Sequence, residues 1–178
     1  MKITRIHHVA YRCNDARETV DFYRDLLGMQ FQLAFAEDRV PSTGEHDPYL
    51  HVFLDAGMGN VLAFFELPHQ APMGRDPNTP PWVQHIAFEV ESPDALAAAK
   101  ARLETAGHEV LGPVDHGIFD SVYFFDPNGH RLELACNKGG DAPRERARAV
   151  AEDMLAEWTR TKRAPRHARW LHDGVEGS

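Results

Sequence analysis

Ile6-His7-His8-Val9-Ala10, near the start of the chain, returns downstream as His85-Ile86-Ala87-Phe88. Both stretches read as strands with alternating faces. In the first, Ile6, His8, Ala10 and Arg12 share one face, while Val9 and Tyr11 take the other. In the second, Val83, His85, Ala87 and Glu89 share a face against Ile86, Phe88 and Val90. The Val9/Ile86 face is wholly apolar and belongs under helices. His8 and His85 therefore look the opposite way.

The segments after the two strands repeat as well. Asn14-Asp15 offers a helix cap, with Glu18 placed as in a capping box. Val20, Tyr23, Leu26 and Leu27 form a helical stripe that Gly28 stops. A strand near 29–36, a polar loop at 37–48, and strands near 49–55 and 60–67 come next. The last two are joined by Ala56-Gly57-Met58-Gly59. In the second copy, Ser92-Pro93 starts a helix carrying Leu96, Ala99 and Leu103, and Gly107 ends it. Strands are predicted near 108–112 and 119–125, then a tight Asp126-Pro127-Asn128-Gly129 turn and a strand at 130–136. The pattern is an internal repeat of βαβββ type. The fold class is therefore α+β, with a first module at 1–67 and a second at 82–137. Between them, 68–81 holds five prolines and reads as a linker. A tail at 138–178 remains, with one amphipathic helix expected over 143–160. Its Arg144, Arg146 and Arg148 read as a solvated face.

The whole chain has 178 residues, enough for one ordinary domain or two very small ones. Its formal charge of -8 argues against binding a nucleic-acid backbone. No apolar run approaches the ~20 residues a membrane span needs. Met-Lys-Ile-Thr-Arg-Ile-His-His lacks the apolar stretch of a signal peptide. Cys13 and Cys136 are the only cysteines, so neither a disulfide framework nor a multi-cysteine zinc site is expected, and a reducing cytoplasm is the expected location. The 11 histidines are the unusual feature of the composition.

Leu62-Ala63-Phe64-Phe65-Glu66-Leu67 corresponds, in this reading, to Gly129-His130-Arg131-Leu132-Glu133-Leu134. The His-to-Glu interval is 58 residues in the first copy and 48 in the second, with the extra ten assigned to the 37–48 loop. A carboxylate inside Phe-Phe-Glu-Leu is costly to bury unless paired or bound to a cation. Taken singly, each histidine reads as a core residue and each glutamate as an edge residue. As a repeated pair, His8, Glu66, His85 and Glu133 are explained together by one divalent metal. Imidazole with carboxylate suits iron, manganese, zinc or nickel. His7, His69, His108 and His130 have no repeat partner and read as surface residues.

These residues resemble the vicinal oxygen chelate superfamily, which includes glyoxalase I, extradiol dioxygenases, methylmalonyl-CoA epimerase and the fosfomycin and bleomycin resistance proteins. The resemblance covers about residues 3–137. It is carried by Ile6–Ala10, Phe22-Tyr23-Arg24-Asp25-Leu26-Leu27-Gly28-Met29, His85–Phe88 and Asp126–Leu134. It implies paired βαβββ modules whose curved mixed sheets surround a metal cavity, with ligands at His8, Glu66, His85 and Glu133. The substrate it implies is a small molecule whose two adjacent oxygens chelate the metal. It also implies a homodimer, whose cavity lies within one chain or between swapped modules.

Two reactions fit that resemblance. In ring cleavage of an aromatic vicinal diol, iron(II) or manganese(II) is held by His8, His85 and Glu133. The stretch Asp115–Phe124 resembles the segment before the last ligand in such dioxygenases, with Tyr123 ten residues before Glu133 and His116 as an acid or base. As plain structure, Tyr123 is a sheet aromatic and His116 a loop residue. Against this reading, Gly59-Asn60-Val61 lacks the family's second active-site histidine. His51 substitutes for it only if its register turns it toward the cavity. In glyoxalase- or epimerase-like chemistry, zinc, nickel or cobalt is expected, and Glu66 or Glu133 serves as base toward a carbon acid. Phe53, Phe64, Phe124 and Trp82 read either as an aromatic pocket or as core. A sequestering protein without turnover is the third reading, and the complete ligand set places it last.

Overall fold

The computed structural model describes residues 1–167 and 169–171. Residues 168 and 172–178 of the expected tail lie outside the described residues. The architecture is α+β, with two four-stranded sheets of identical topology. The first contains β1 (Val9–Cys13), β2 (Gln30–Arg39), β3 (His46–Asp55) and β4 (Val61–Glu66), in the order β1-β4-β3-β2. The second contains β5 (His85–Glu89), β6 (Leu111–Asp115), β7 (Phe119–Phe125) and β8 (Arg131–Asn137), in the order β5-β8-β7-β6. In each sheet the module's first strand lies beside its last. That is the repeat expected from the sequence.

Several boundaries differ from the expected ones. Residues 6–8 precede β1 rather than belonging to it. β2 and β3 form a long hairpin, so the 37–48 loop shrinks to 40–45. β6 starts at Leu111 rather than at 108. The single tail helix is two helices, α3 (Ala142–Ala149) and α4 (Ala151–Thr161), because Val150 leaves helical geometry at φ -108 and ψ 4. No described helix is long and apolar enough to cross a membrane.

The chain divides into two compact units, and the division cuts across the modules. One comprises residues 1–86, 102–109 and 124–132; the other comprises 87–101, 110–123 and 133 onward.

In the first unit, α1 (Ala16–Asp21) begins as expected, with the Asp15 carboxylate accepting from Glu18 N–H at 2.9 Å. It runs into a π-type turn over Phe22–Leu26 and stops at Gly28, whose φ of 75° suits glycine. The parallel ladder pairs Val9 with Leu62, Tyr11 with Phe64 and Cys13 with Glu66. Phe64 is fully buried with its ring 5.0 Å from that of Tyr23, so this is the helix-covered face of the sheet. Leu62, Val52 and Leu54 fill the same core.

The Asp126–Gly129 turn packs into this unit. Tyr23 Oη donates to Asp126 Oδ2 at 3.1 Å. Asn14 N–H donates to Asn128 Oδ1 at 2.8 Å, and Asn128 Nδ2 donates to Thr19 Oγ1 at 3.0 Å. The Asn128 and His130 backbone N–H groups both donate to Asp126 Oδ1. A buried carboxylate is thereby satisfied by neutral donors alone.

In the second unit, α2 (Pro93–Thr105) starts with Ser92 Oγ accepting from Ala95 N–H at 3.1 Å. β6 runs against β7, and a Cβ at Gly112 would stand 2.6 Å from the Ser121 carbonyl oxygen. Only glycine permits that approach, which sits β6 tightly over Ser121.

Burial also silences the thiols. Cys13 is 1% and Cys136 4% exposed, and burial pushes the Cys13 thiol up to about 11. Neither should react with a thiol reagent at pH 8 in the folded protein, and both should react in denaturant; colorimetric counting checks this. Tyr23→Phe should cost about 1 kcal/mol by urea unfolding without changing the fold, since one of several bonds to a buried carboxylate is lost.

Candidate metal and substrate-binding residues

The β1–β4 register decides what each side chain of the first module can reach. Residues paired across a parallel ladder share a face. Glu66 stands beside Cys13, on the face of Leu62 and Phe64. Its Oε2 accepts the Ala16 backbone N–H at 2.7 Å, a carboxylate placed at the start of α1. His8 precedes β1 on the other face, with Ala10, Ala63 and Phe65. The structure does not bring Glu66 to His8.

Within the first module, Ala10 pairs with Ala63, and in the second the Val90 N–H donates to the Ala135 carbonyl at 2.9 Å.

His8 shares its face with a histidine whose side the sequence left open. His51 on β3 pairs with Phe65, so it faces His8's side of the sheet. Its ring stacks on Phe65 at 3.6 Å and lies 4.2 Å from Phe53 and 6.2 Å from His8, centroid to centroid. The His51 Nε2 is buried without a hydrogen-bond partner. Burial, and then the neighbouring His8, hold its pKa below the usual histidine value. His7 is tied into this group through Nδ1, 2.8 Å from His8 Nδ1.

Among the other expected residues of the first unit, His85 is exposed, with Nδ1 3.0 Å from the Val83 carbonyl. A carbonyl only accepts, so Nδ1 carries the proton and Nε2 the lone pair of the neutral ring. A hydrogen bond of this kind orients many metal-binding histidines. His85 also lines a cleft of about 420 Å³ with Tyr11, Arg75, His130 and Arg131. The proline-rich 68–81 segment supplies part of that wall through Met73–Asp76 and Thr79–Pro81. His130 is half-buried, and it donates through Nε2 to the Arg12 carbonyl at 2.8 Å. Of the expected aromatic pocket, Phe64 and Phe124 are core, Trp82 is exposed, and Phe53 alone stands beside the histidines.

In the second unit, Glu133 is 3% exposed and accepts from Ser121 Oγ. His116 Nε2 lies 2.8 Å from Tyr123 Oη. Ser121 and Tyr123 alternate onto one face of β7, opposite the buried Val122 and Phe124. Sequence reasoning singled out Glu133, His116 and Tyr123 but not Ser121, whose two-residue spacing from Tyr123 was the available signal. Among the described residues, no three His, Cys, Asp or Glu side chains are grouped closely enough to hold a metal ion.

Residues 5–134 match the Glyoxalase/Bleomycin resistance protein/Dioxygenase superfamily. A Bacillus subtilis protein named for ring-cleaving dioxygenase activity, MhqA, is 30% identical over 144 residues, 79% of this chain. The match spans 42% of MhqA's own length. Lactoylglutathione lyase of Pseudomonas aeruginosa is 30% identical over 149 residues, covering 72% of this chain and 80% of that one. A solved glyoxylase/bleomycin resistance protein/dioxygenase domain from Frankia shares the fold, with a TM-score of 0.61 at 19% identity over 77% of this chain and all of that one.

Proposed function

The chain belongs to the Glyoxalase/Bleomycin resistance protein/Dioxygenase superfamily, and from that premise we propose that it is a divalent-metal-dependent enzyme that cleaves the ring of an aromatic vicinal diol. The observation that carries this reading is the β1–β4 register, which sets Glu66 on the face away from His8, with its Oε2 accepting the Ala16 N–H. The donors that remain of the expected set are His8, His85 and Glu133, two imidazoles and one carboxylate. That set suits iron(II) or manganese(II) and leaves positions for both oxygens of a diol. Those oxygens would chelate a divalent ion held there, whose charge would make the hydroxyl more acidic.

The chain's own contribution to proton movement is the His116–Tyr123 pair. With His116 Nε2 unprotonated, Tyr123 Oη donates to it and can accept or return a proton at a substrate hydroxyl through the same bond. Ser121 holds the Glu133 carboxylate from one side and so orients it. Dioxygen is the oxidant in the overall reaction. The ring carbon–carbon bond next to the diol breaks and both oxygen atoms stay in the product, so no external reductant is consumed. The similarity to MhqA over four-fifths of this chain supports the same reading.

A second reading, proton transfer on a metal-chelated carbonyl compound, is favoured by the similarity to lactoylglutathione lyase. It would take Glu133 as base, because Glu66 is engaged with the start of α1. The homodimer implied by the resemblance is part of the proposal. The exposed Phe31, Leu33 and Phe35 on edge strand β2 are in keeping with it.

Tyr123→Phe should lower catechol-dependent oxygen uptake by about 100-fold or more, the range for loss of a general acid or base, with metal content unchanged. Unchanged turnover would remove Tyr123 from the mechanism. His85→Ala and Glu133→Ala should each abolish metal retention as well as activity, measured by elemental analysis of the purified variants. Full metal in either variant would remove that residue from the ligand set.

A further inference from the structure

We infer that His51 is a metal ligand beside His8, in the role that the sequence resemblance gives to Glu66. The inference rests on the metal-dependent reading above and adds a ligand that the repeat does not contain.

Three observations carry it. First, Glu66 is committed elsewhere: it lies on the helix-covered face, and its Oε2 accepts the Ala16 N–H at 2.7 Å. Second, the face that bears His8 bears His51, with ring centroids 6.2 Å apart. With metal–nitrogen bonds of about 2.1 Å, two imidazoles on one ion have centroids roughly 4.5–6.5 Å apart, depending on the angle between the bonds. At 6.2 Å the pair spans one ion with its two bonds nearly opposite each other, at about 150°. Third, His51 Nε2 is buried with no partner. An unsatisfied buried nitrogen costs stability and is uncommon in native cores. Coordination through its lone pair would satisfy it.

The surroundings fit a ligand held for binding. The His51 ring packs against Phe65, at 3.6 Å and nearly parallel, and against Phe53 at 4.2 Å. That packing fixes the ring plane before any ion arrives, which lowers the ordering cost of coordination. A phenylalanine at position 51 would pack equally well against both rings. A purely structural residue would therefore gain by losing its nitrogen.

That contrast sets the experiment. Cobalt(II) is titrated into metal-free wild-type protein, His51→Phe and Glu66→Gln, monitored calorimetrically and by visible absorption, and each protein is melted with and without the ion. Wild type should bind. His51→Phe should fold, melt at the same or a higher temperature when metal-free, and bind cobalt(II) at least about tenfold more weakly. It should also lose most of the metal-induced rise in melting temperature. Glu66→Gln should keep wild-type affinity but melt lower, having lost its charge at the start of α1. His51→Leu gives the same reading should the larger ring disturb the sheet. Wild-type cobalt affinity in the His51 variants overturns the inference alone. A wild-type protein that binds no cobalt(II) overturns the metal-dependent reading, and this inference with it.

Discussion

The parallel ladder between β1 and β4 governs what the first module can do. It pairs Val9 with Leu62 and Cys13 with Glu66. That offset buries Phe64 against Tyr23 and gathers the core on one face of the sheet. The same offset turns His8, His51, Phe53 and Phe65 to the other face. A slip of one residue would exchange the faces and put Phe65 under the helix and Glu66 beside the histidines. The burial of Phe64, with no exposed surface, and the bond from Ala16 to Glu66 both lock the register against that slip.

The two modules differ in how they hold their carboxylates. The first module's Glu66 serves the start of α1. In the second, Ser121 donates to Glu133, and His116 and Tyr123 are hydrogen-bonded to each other on the same unit. With Glu66 so engaged, the proposed donor set has one carboxylate rather than two. That is the ground on which the proposal favours an oxygen-dependent reaction over a carbon-acid one.

Much of this was legible in the sequence. The return of His-Val-Ala as His-Ile-Ala revealed the repeat and the strand faces, and Asp15 with Glu18 marked the start of α1. The faces of β4 were also legible, since alternation alone puts Glu66 with Leu62 and Phe64. What alternation does not supply is which of those faces meets a helix. His51 was undecided for the same reason. Its side depends on a pairing with Phe65 set 14 residues away. The break of the tail helix at Val150 had no sequence signal, because Val150 fits the apolar stripe that suggested one helix.

The most direct test of a metal-dependent ring-cleaving enzyme is the metal itself. Wild-type protein would be purified without air and its metals identified and counted by mass-spectrometric elemental analysis. The expected result is near one iron or manganese per chain. Near one zinc, nickel or cobalt would contradict the oxygen-dependent reaction and favour proton transfer on a carbonyl compound. No metal, even after reconstitution with each of these ions, would contradict metal-dependent catalysis by this chain altogether.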